Sequence, residues 1–246
     1  MMRVALVGAT RGMGKELARR MAERGDALCL LGRDAQALER TRADLAIRQP
    51  HGEVHVAHCD LLEPASFAPA LDAAEKALGG LDTVVVSAGL FADQPDLERD
   101  EALRDRVLVA DFVNTVHFCE LVRARLLAAG GGTLCVFSSV AGERARAKVR
   151  LYGAAKAGLS HYLEGLDHAD RRRGLRTVAV KPGFVRTGMT AHLPAPPFAG
   201  EPDAVARRVL RAIDAGRPEV YVPSVWRWIM WVIRQLPRAV MRRLEF

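Results

Sequence analysis

The sequence predicts a doubly wound α/β fold, a single domain built on a mainly parallel sheet of about seven strands. Two observations favour this fold. Short apolar runs alternate with longer amphipathic segments rich in Ala, Arg and Glu, and strands buried on both faces are continuous apolar runs. A glycine-rich turn also follows the first apolar run directly, as expected for the first strand–helix unit of such a sheet.

The apolar runs and the segments between them set the expected order of elements. The predicted strands are Arg3–Val7, Ala27–Leu31, Val54–Cys59, Asp82–Ser87, Thr133–Phe137, Thr177–Lys181 and Glu219–Val222. The first two predicted helices are Gly14–Arg24 and Ala35–Arg48. Because Pro194–Pro202 is the one conspicuous loop and no linker divides the chain, we expect one catalytic domain over residues 1–222 and a tail over 223–246.

Composition excludes several classes of protein. Half of the 246 residues are apolar and 26% are charged, which is typical of a folded chain. The net charge is +7 and 31 of the 36 basic residues are Arg, so anionic ligands or a membrane surface are expected partners. Nucleic acid is not expected, because the basic residues concentrate only at the C-terminal end. The Cys and His spacings predict no metal site.

The N-terminal segment and the overall hydropathy predict where the protein works. The first apolar stretch is too short for a signal peptide, and no stretch of about 18 apolar residues could span a bilayer. We therefore expect a cytoplasmic protein, with peripheral contact to the inner face of the cell membrane left open.

The turn after the first strand has glycines spaced G-x3-G-x-G. Gly8 permits a tight turn, whereas Gly12 and Gly14 let the backbone approach a pyrophosphate at a helix N-terminus, where free N–H groups favour anions. A plain glycine-rich turn is the alternative, but the position after the first strand favours dinucleotide binding. The predicted cofactor contacts in this turn are Gly8, Thr10, Arg11, Gly12, Met13 and Gly14.

Arg33 follows the second strand, at the position where an acidic residue often binds a ribose diol. A guanidinium there fits a 2′-phosphate, and Arg11 supplies a second cation. This favours NADP(H) as the cofactor. NAD(H) is the alternative, in which Arg33 is a solvated surface residue.

Three polar residues have a spacing that suits carbonyl chemistry. Tyr152 and Lys156 lie four residues apart on one predicted helical face, and Ser139 lies thirteen residues before Tyr152. A carbonyl that accepts hydride must be protonated on oxygen, and an unperturbed phenol is a poor acid or base at neutral pH. We expect the Lys156 ammonium to lower the pKa of Tyr152 and Ser139 to polarise the carbonyl. These are the predicted catalytic residues.

Together these motifs resemble the classical short-chain dehydrogenase/reductase family over essentially the whole chain. The third motif is Lys181-Pro182-Gly183-x-Val185-x-Thr187. The resemblance implies a Rossmann-type fold, NAD(P)H-dependent carbonyl reduction or alcohol oxidation, and a homodimer or homotetramer. It also implies an adenine contact after the third strand, a cofactor wall after the fourth, and contacts to the nicotinamide end. These positions are Asp60, Leu61, Ser87, Ala88, Gly89, Tyr152, Lys156, Pro182, Gly183, Val185 and Thr187.

Two positions depart from the family's pattern. The family's Asn-Ala-Gly after the fourth strand is Ser87-Ala88-Gly89 here. The family's central-helix Asn, which anchors a water in the proton relay, falls on Asp111, and Asn114 lies one turn later. The sequence leaves open which of these two residues serves the relay.

Three segments resemble one branch of the family more closely, the decaprenylphosphoryl-2-keto-erythro-pentose reductases. They are Ser138–Arg144, Val185–Leu193 and the tail from Pro223. This resemblance implies reduction of a keto group on a polyprenyl-phosphate-linked pentose. Reduction of 3-oxoacyl or 3-ketosphingoid lipids is the nearest alternative. A different class is a non-catalytic dinucleotide-sensing regulator, but such proteins usually lose the Tyr or the Lys.

The tail combines an apolar cluster with basic residues. Its three Trp lie between Pro223 and Pro237, and five Arg against Glu245 give it a net charge of +4. Helices with Trp and Arg at their boundaries suit a membrane interface. Packing on the domain or in a subunit interface are the alternatives, and in each case Pro237 is predicted to interrupt the helix.

Overall fold

Seven parallel strands form one sheet in the computed structural model, which describes residues 1–48 and 53–244. The strands are β1 (Arg3–Val7), β2 (Ala27–Gly32), β3 (Val54–His58), β4 (Thr83–Val86), β5 (Gly132–Phe137), β6 (Leu175–Pro182) and β7 (Glu219–Val222). Their order across the sheet is 3-2-1-4-5-6-7, and all neighbours run parallel. The predicted doubly wound α/β fold is confirmed.

Helices cover both faces of this sheet. Within the described ranges they are α1 (Gly12–Glu23), α2 (Ala35–Arg48), α3 (Phe67–Leu78), α4 (Gln94–Arg99), α5 (Glu101–Leu108), α6 (Asn114–Ala128), α7 (Arg150–Asp170), α8 (Pro202–Asp214), α9 (Val225–Gln235) and α10 (Arg238–Met241). A π-helical turn, Val109–Val113, joins α5 to α6. The predicted break at Pro237 is confirmed, since α9 ends before it and α10 begins after it.

The core consists of two layers because successive strand residues face opposite sides of the sheet. In β1, Val4 and Leu6 join the layer that packs against α1, α2 and α8. Ala5 and Val7 join the layer that packs against α3, α6 and α7. This alternation explains why the strands are apolar throughout, with no polar face in the sequence.

The strand order reverses between β1 and β4, and this reversal determines where a ligand can bind. Helices leave the carboxyl ends of these two strands on opposite faces, which opens a crevice at that edge of the sheet. The loops after the carboxyl ends of the strands hold Gly8, Arg33, Ser87, Ser139 and Gly183. The topology therefore places the predicted site residues along one edge.

The boundaries of α1 and β4 differ from the sequence prediction for local reasons. Helix α1 begins at Gly12, two residues earlier than expected, so the last two glycines belong to its first turn. Strand β4 is shorter than expected at both ends. Asp82 accepts bonds from the Arg3 backbone and guanidinium, and the Ser87 hydroxyl turns back to the Val7 carbonyl, so neither residue continues the strand.

The tail packs on the domain through one face of α9. Met230 is 1% exposed and packs with Val140 and Tyr221, while Trp226 and Ile233 lie partly buried beside them. The opposite face leaves Trp228 68% and Trp231 55% exposed, together with Val232. One face of α9 therefore packs on the domain, and the opposite face is exposed. Glu245 and Phe246, at the end of the predicted tail, lie outside the described residues.

The described ranges have neither a bilayer-spanning helix nor a metal-binding cluster of side chains. No helix in residues 1–48 and 53–244 has the length and hydropathy required of a bilayer-spanning segment. The same residues contain no group of three or more His, Cys, Asp or Glu side chains placed to hold a metal ion.

Candidate active site

Close packing or a positive φ requires glycine at three positions of the turn after β1. Gly8 has φ +92°, and a Cβ there would lie 2.5 Å from the Ala88 nitrogen. A Cβ on Gly14 would overlap the Gly8 carbonyl and the Ser87 hydroxyl. Gly12 has φ +54°, in the left-handed region that favours glycine. Each of the three glycines therefore has a structural requirement in this turn.

The first turn of α1 offers free backbone N–H groups. Arg11 occupies the N-cap position without a side-chain cap, and the first turn contains no acidic residue. Uncapped N–H groups and the helix dipole favour an anion at this end. Thr10 is half-buried in the turn, and Met13 packs against the core layer on the α1 side. The turn therefore has the features of a pyrophosphate cradle.

Arg11 and Arg33 are both exposed, one in the β1 turn and one just after β2. Their neighbour Asp34 is occupied as the cap of α2, where it accepts from the Ala37 N–H at 2.9 Å. Among the described residues, neither Arg11 nor Arg33 forms an ion pair or a hydrogen bond with another side chain. Both guanidinium groups thus lie uncompensated at the cofactor edge of the sheet.

Asp60 and Leu61 follow β3 at the same edge. One oxygen of Asp60 accepts from the Leu62 N–H at 2.9 Å, which fixes the loop. The Leu61 carbonyl accepts a 2.6 Å bond from the Asn114 amide. The structure therefore ties the predicted adenine loop to the start of α6.

The segment after β4 forms the wall next to the glycine turn. The Ser87 hydroxyl donates to the Val7 carbonyl at 2.9 Å, in a position where the family's pattern has Asn. Ala88 approaches Gly8, and Gly89 approaches Lys156, since a Cβ on Gly89 would lie 3.4 Å from the Lys156 Nζ. These three small residues allow the wall to contact both the glycine turn and the Lys156 region.

The three predicted catalytic residues lie together at the carboxyl end of β5. The Ser139 side chain lies near enough to the Tyr152 phenol to act on its pKa in the lowering direction, and the Ser139 Oγ accepts from the Ala141 N–H at 3.1 Å. Lys156 lies one turn later on α7, with its Nζ 5.6 Å from the centre of the Tyr152 ring. Phe91 packs edge-on against the Tyr152 ring at 5.2 Å. The sequence spacing thus corresponds to one spatial cluster.

Burial changes the expected acidity of Tyr152. Desolvation of the phenolate raises the pKa of Tyr152, and this effect exceeds the opposing effect of the Lys156 ammonium. The expected contribution of Lys156 has the right sign, but the expected net direction is wrong. The nearby charge alone would lower the pKa, but the removal of water from the phenolate has the larger effect. A raised pKa favours the protonated phenol, the form that can give a proton to a carbonyl oxygen.

Of the two candidates for the relay position, only Asp111 reaches Lys156. Asp111 is 1% exposed within the π-helical turn. Its Oδ1 accepts from the Leu90 N–H at 2.7 Å, and its Oδ2 lies 3.5 Å from the Lys156 Nζ. Asn114 points away, toward the carbonyl of Leu61. The geometry therefore associates Asp111, and not Asn114, with the catalytic cluster.

The third motif connects the cofactor edge to the tail. Pro182 ends β6, and a Cβ on Gly183 would overlap the Trp226 indole of α9. Val185 forms a bridge with Gly200, so residues 186–199, which we call the lid segment, leave and return at neighbouring points. Thr187 lies beside the glycine turn, since a Cβ on Gly12 would be 3.4 Å from its methyl group.

A buried ionic cluster behind Ser139 was not predicted from the sequence. The Glu143 carboxylate is 2.7 Å from the Lys181 Nζ and accepts from the Tyr221 hydroxyl at 3.0 Å. Lys181 also pairs with Glu219 at 2.8 Å, and these charges raise its pKa. The one available signal was Lys181 directly after the apolar run Val178–Val180, because a buried charge needs a partner.

Comparisons with known proteins agree with this architecture. A family model described as short chain dehydrogenase matches residues 3–197. An uncharacterised oxidoreductase of Mycobacterium tuberculosis is 34% identical over 241 residues, which cover 98% of this chain and 96% of the relative. Carbonyl reductase family member 4 of Xenopus tropicalis is 28% identical over 222 residues, covering 86% and 90%.

A solved structure gives the same result for the fold. A short-chain type dehydrogenase/reductase from Mycobacterium ulcerans superposes with a TM-score of 0.82 at 22% identity, covering 89% of this chain and 87% of that chain. At this level of identity the likeness concerns the fold alone. The fold is therefore shared with a known structure.

Proposed function

This chain belongs to the short-chain dehydrogenase family and is an NAD(P)-dependent oxidoreductase acting on carbonyl or hydroxyl groups, and from that premise we propose that it uses NADPH to reduce a keto group on a polyprenyl-phosphate-linked pentose. The observation that supports the direction of reaction is the Ser139–Tyr152–Lys156 cluster. In it, burial raises the pKa of the phenol and so favours a proton donor.

The residues of the cluster divide the work of carbonyl reduction. A bound nicotinamide supplies the hydride. The Ser139 hydroxyl donates to the carbonyl oxygen and orients it, and the Tyr152 phenol gives its proton to that oxygen as charge develops there. The Lys156 ammonium stabilises the phenolate that remains. Asp111 and Phe137 hold Lys156 from the protein side, at 3.5 and 3.4 Å from its Nζ.

The glycine turn supports a dinucleotide as the bound group. A Cβ on Gly8 or Gly14 would overlap neighbouring backbone, Gly12 has a positive φ, and the first turn of α1 presents uncapped N–H groups. The exposed guanidinium groups of Arg11 and Arg33 favour NADP(H) over NAD(H), because a 2′-phosphate would supply the negative charge that the protein does not.

The surface near the lid segment supports a lipid-linked substrate. Within the lid segment, Met189 and Phe198 are 46% and 52% exposed. The lid segment returns at Gly200, where a Cβ would lie 2.8 Å from Pro223 at the start of the tail. The tail adds the exposed Trp228 and Trp231. An apolar surface of this kind next to the site suits a long hydrocarbon chain.

We further propose that this surface lies on the cytoplasmic leaflet of a membrane. Exposed Trp side chains beside Arg suit an interface of acyl chains and anionic headgroups. We also propose a homodimer or homotetramer. Val113, just before α6, and Leu121, on α6, are exposed and offer apolar surface for such a contact.

A direct assay tests the proposed substrate. The purified protein is mixed with NADPH and, in separate samples, a polyprenyl-phosphate-linked 2-keto pentose, a 3-oxoacyl thioester and a 3-ketosphingoid base, and loss of NADPH absorbance is followed. The proposal expects the highest kcat/KM with the keto pentose. A higher kcat/KM with the thioester or the sphingoid base would contradict the proposed substrate and assign the substrate to that class. Binding of NADPH without turnover of any of the three substrates would support the alternative of a non-catalytic dinucleotide-sensing regulator.

A further inference from the structure

The buried carboxylate of Asp111 is an unusual neighbour for a catalytic lysine. Its side chain is fully enclosed, and one oxygen is used by the Leu90 N–H at 2.7 Å. The other oxygen faces the Lys156 Nζ at 3.5 Å and has no closer hydrogen-bond partner among the described residues. Burying a carboxylate is costly unless an opposite charge compensates it. Lys156 is the compensating charge here.

An amide would satisfy the backbone contact at this position as well as a carboxylate does. Asn has the shape of Asp and an acceptor oxygen that could take the bond from the Leu90 N–H. The structural requirement therefore does not explain the charge. The carboxylate adds a negative charge directed at Lys156. Gly89 leaves space for this carboxylate, since a Cβ on Gly89 would lie 3.0 Å from the Asp111 Oδ1.

We propose that Asp111 is a positioning residue for Lys156, whose buried carboxylate holds the ammonium group beneath Tyr152 by charge and so shares that ammonium with the phenol. This inference rests on the proposed roles of Tyr152 and Lys156. It goes beyond them by assigning a function to a carboxylate where the family's pattern has an amide.

The sharing has an electrostatic consequence for Tyr152. The negative charge of Asp111 raises the pKa of Tyr152, in the same direction as burial, while Lys156 lowers it. The same carboxylate raises the pKa of Lys156 and thereby opposes the desolvation of its ammonium. With Asp111 present, Tyr152 remains protonated to a higher pH than it would beside an amide.

The other charged groups around the cluster are already paired. On α4 and α7, Glu98 and Arg150 form a pair at 2.7 Å. Beside Phe91, His192 of the lid segment lies 3.3 Å from Asp93. Behind Ser139, Glu143 is held by Lys181 and Arg234. Among the charged residues of the described ranges, Lys156 and Asp111 are the two whose charges act on the phenol.

The test is the Asp111→Asn variant, read first without cofactor or substrate. Ultraviolet absorbance of the phenolate is titrated in wild type and variant, each against a Tyr152→Phe background to isolate Tyr152 from the other two tyrosines. We expect the Tyr152 transition to move to lower pH by about one unit, the usual size of a nearby charge effect. The alkaline limb of kcat/KM for ketone reduction should move by the same amount. Superimposed titrations and pH profiles would overturn the proposal and leave Asp111 as an acceptor for Leu90.

A matched control shows whether the effect comes from the Asp111 charge beside Lys156 or from the loss of any buried carboxylate. Asp170, at the end of α7, is also 1% exposed and is bound by Arg123 and Arg173. Asp170→Asn should lower the melting temperature and leave the Tyr152 titration unmoved. A shift in this control equal to that of Asp111→Asn would also overturn the proposal. Absence of reductase activity in wild type would refute the proposed function, while the phenolate titration would still test Asp111.

Discussion

Arg234 of the tail helix lies 3.1 Å from the carboxylate of Glu143, four residues after Ser139. The side chain of Glu143 is 5% exposed, and the next residue, Arg144, donates to the Leu236 carbonyl at 2.6 Å. The tail is therefore bonded at two points to the loop that carries Ser139. A segment that the sequence marks as an appendage is part of the support of the catalytic cluster.

Replacing Glu143 should affect stability and turnover together. Glu143→Gln removes one charge from a buried ion pair, and we expect the free energy of unfolding to fall by about 3 kcal/mol, with a lower kcat because the Ser139 loop loses its anchor. Chemical denaturation and steady-state kinetics measure the two effects. The control is Glu201→Gln, whose exposed pair with Arg186 should contribute less than about 1 kcal/mol. Equal stability of wild type and Glu143→Gln would contradict this role.

Tyr152→Phe tests the proton donor. The variant keeps the ring and its edge contact with Phe91 but has no proton to give, so turnover should fall by about 10² to 10⁴, the usual contribution of a general acid. Binding of NADPH, measured by fluorescence titration, should be retained. Undiminished ketone reduction by this variant would remove Tyr152 from the mechanism.

Lys156→Ala should reduce both turnover and cofactor affinity, because the resemblance to the family places Lys156 against the nicotinamide ribose. It should also destabilise the fold, since the Asp111 carboxylate would lose its compensating charge. The double variant Asp111→Asn/Lys156→Ala separates these effects. It should regain much of the melting temperature without regaining turnover. A double variant as unstable as Lys156→Ala alone would show that Asp111 is not the source of the instability.

Arg33→Asp tests the choice of cofactor. A carboxylate there repels a 2′-phosphate and accepts from a ribose diol, so preference should move from NADPH toward NADH. We expect the ratio of kcat/KM values to change by about tenfold or more, because a charge-assisted hydrogen bond contributes about 1.5–3 kcal/mol. Wild-type protein that already prefers NADH would show that Arg33 does not bind a phosphate.

Periodicity was enough to predict most of the fold and the grouping of the site residues. Short continuous apolar runs bounded by turn residues are typical of strands buried on both faces, and parallel strands bring the residues after their carboxyl ends to one edge. The helical spacing of Tyr152 and Lys156 likewise puts both side chains on one face. The roles of these residues stay predictions, whereas their proximity is a property of the structure.

Tertiary detail explains what periodicity could not predict. The π-helical turn at Val109–Val113 changes the number of residues per turn just where Asp111 and Asn114 lie, so a regular helical spacing could not tell which of them faces Lys156. The net direction of the Tyr152 pKa shift depends on burial by chain segments far apart in sequence. Which face of α9 is buried follows from the contact of Met230 with Val140 and Tyr221, which are far from it in sequence or on another element.

The exposed face of the tail can now be tested without disturbing its packed face. In the Trp228→Ser/Trp231→Ser variant, Met230 and Trp226 still cover the domain, so the melting temperature should be unchanged. If this face contacts a membrane, binding to anionic vesicles should fall by about tenfold or more, since each Trp contributes apolar burial. Turnover of a polyprenyl-linked ketone should fall with it, and turnover of a short water-soluble ketone should not. Co-sedimentation with vesicles at low and high salt, paired with a melting curve, measures these effects.

Met230→Ala is the matched control for the tail, because it alters the packed face alone. Truncation of this 1% exposed side chain should lower the free energy of unfolding by about 2–5 kcal/mol while vesicle binding by the folded protein persists. High salt should weaken binding of wild type, because the tail's Arg residues attract anionic headgroups through a screened interaction. If intact wild type does not bind anionic vesicles even at low salt, the membrane proposal is contradicted and a contact between subunits is the alternative for the exposed Trp pair. A sizing experiment on Trp228→Ser/Trp231→Ser would then show a smaller assembly than wild type.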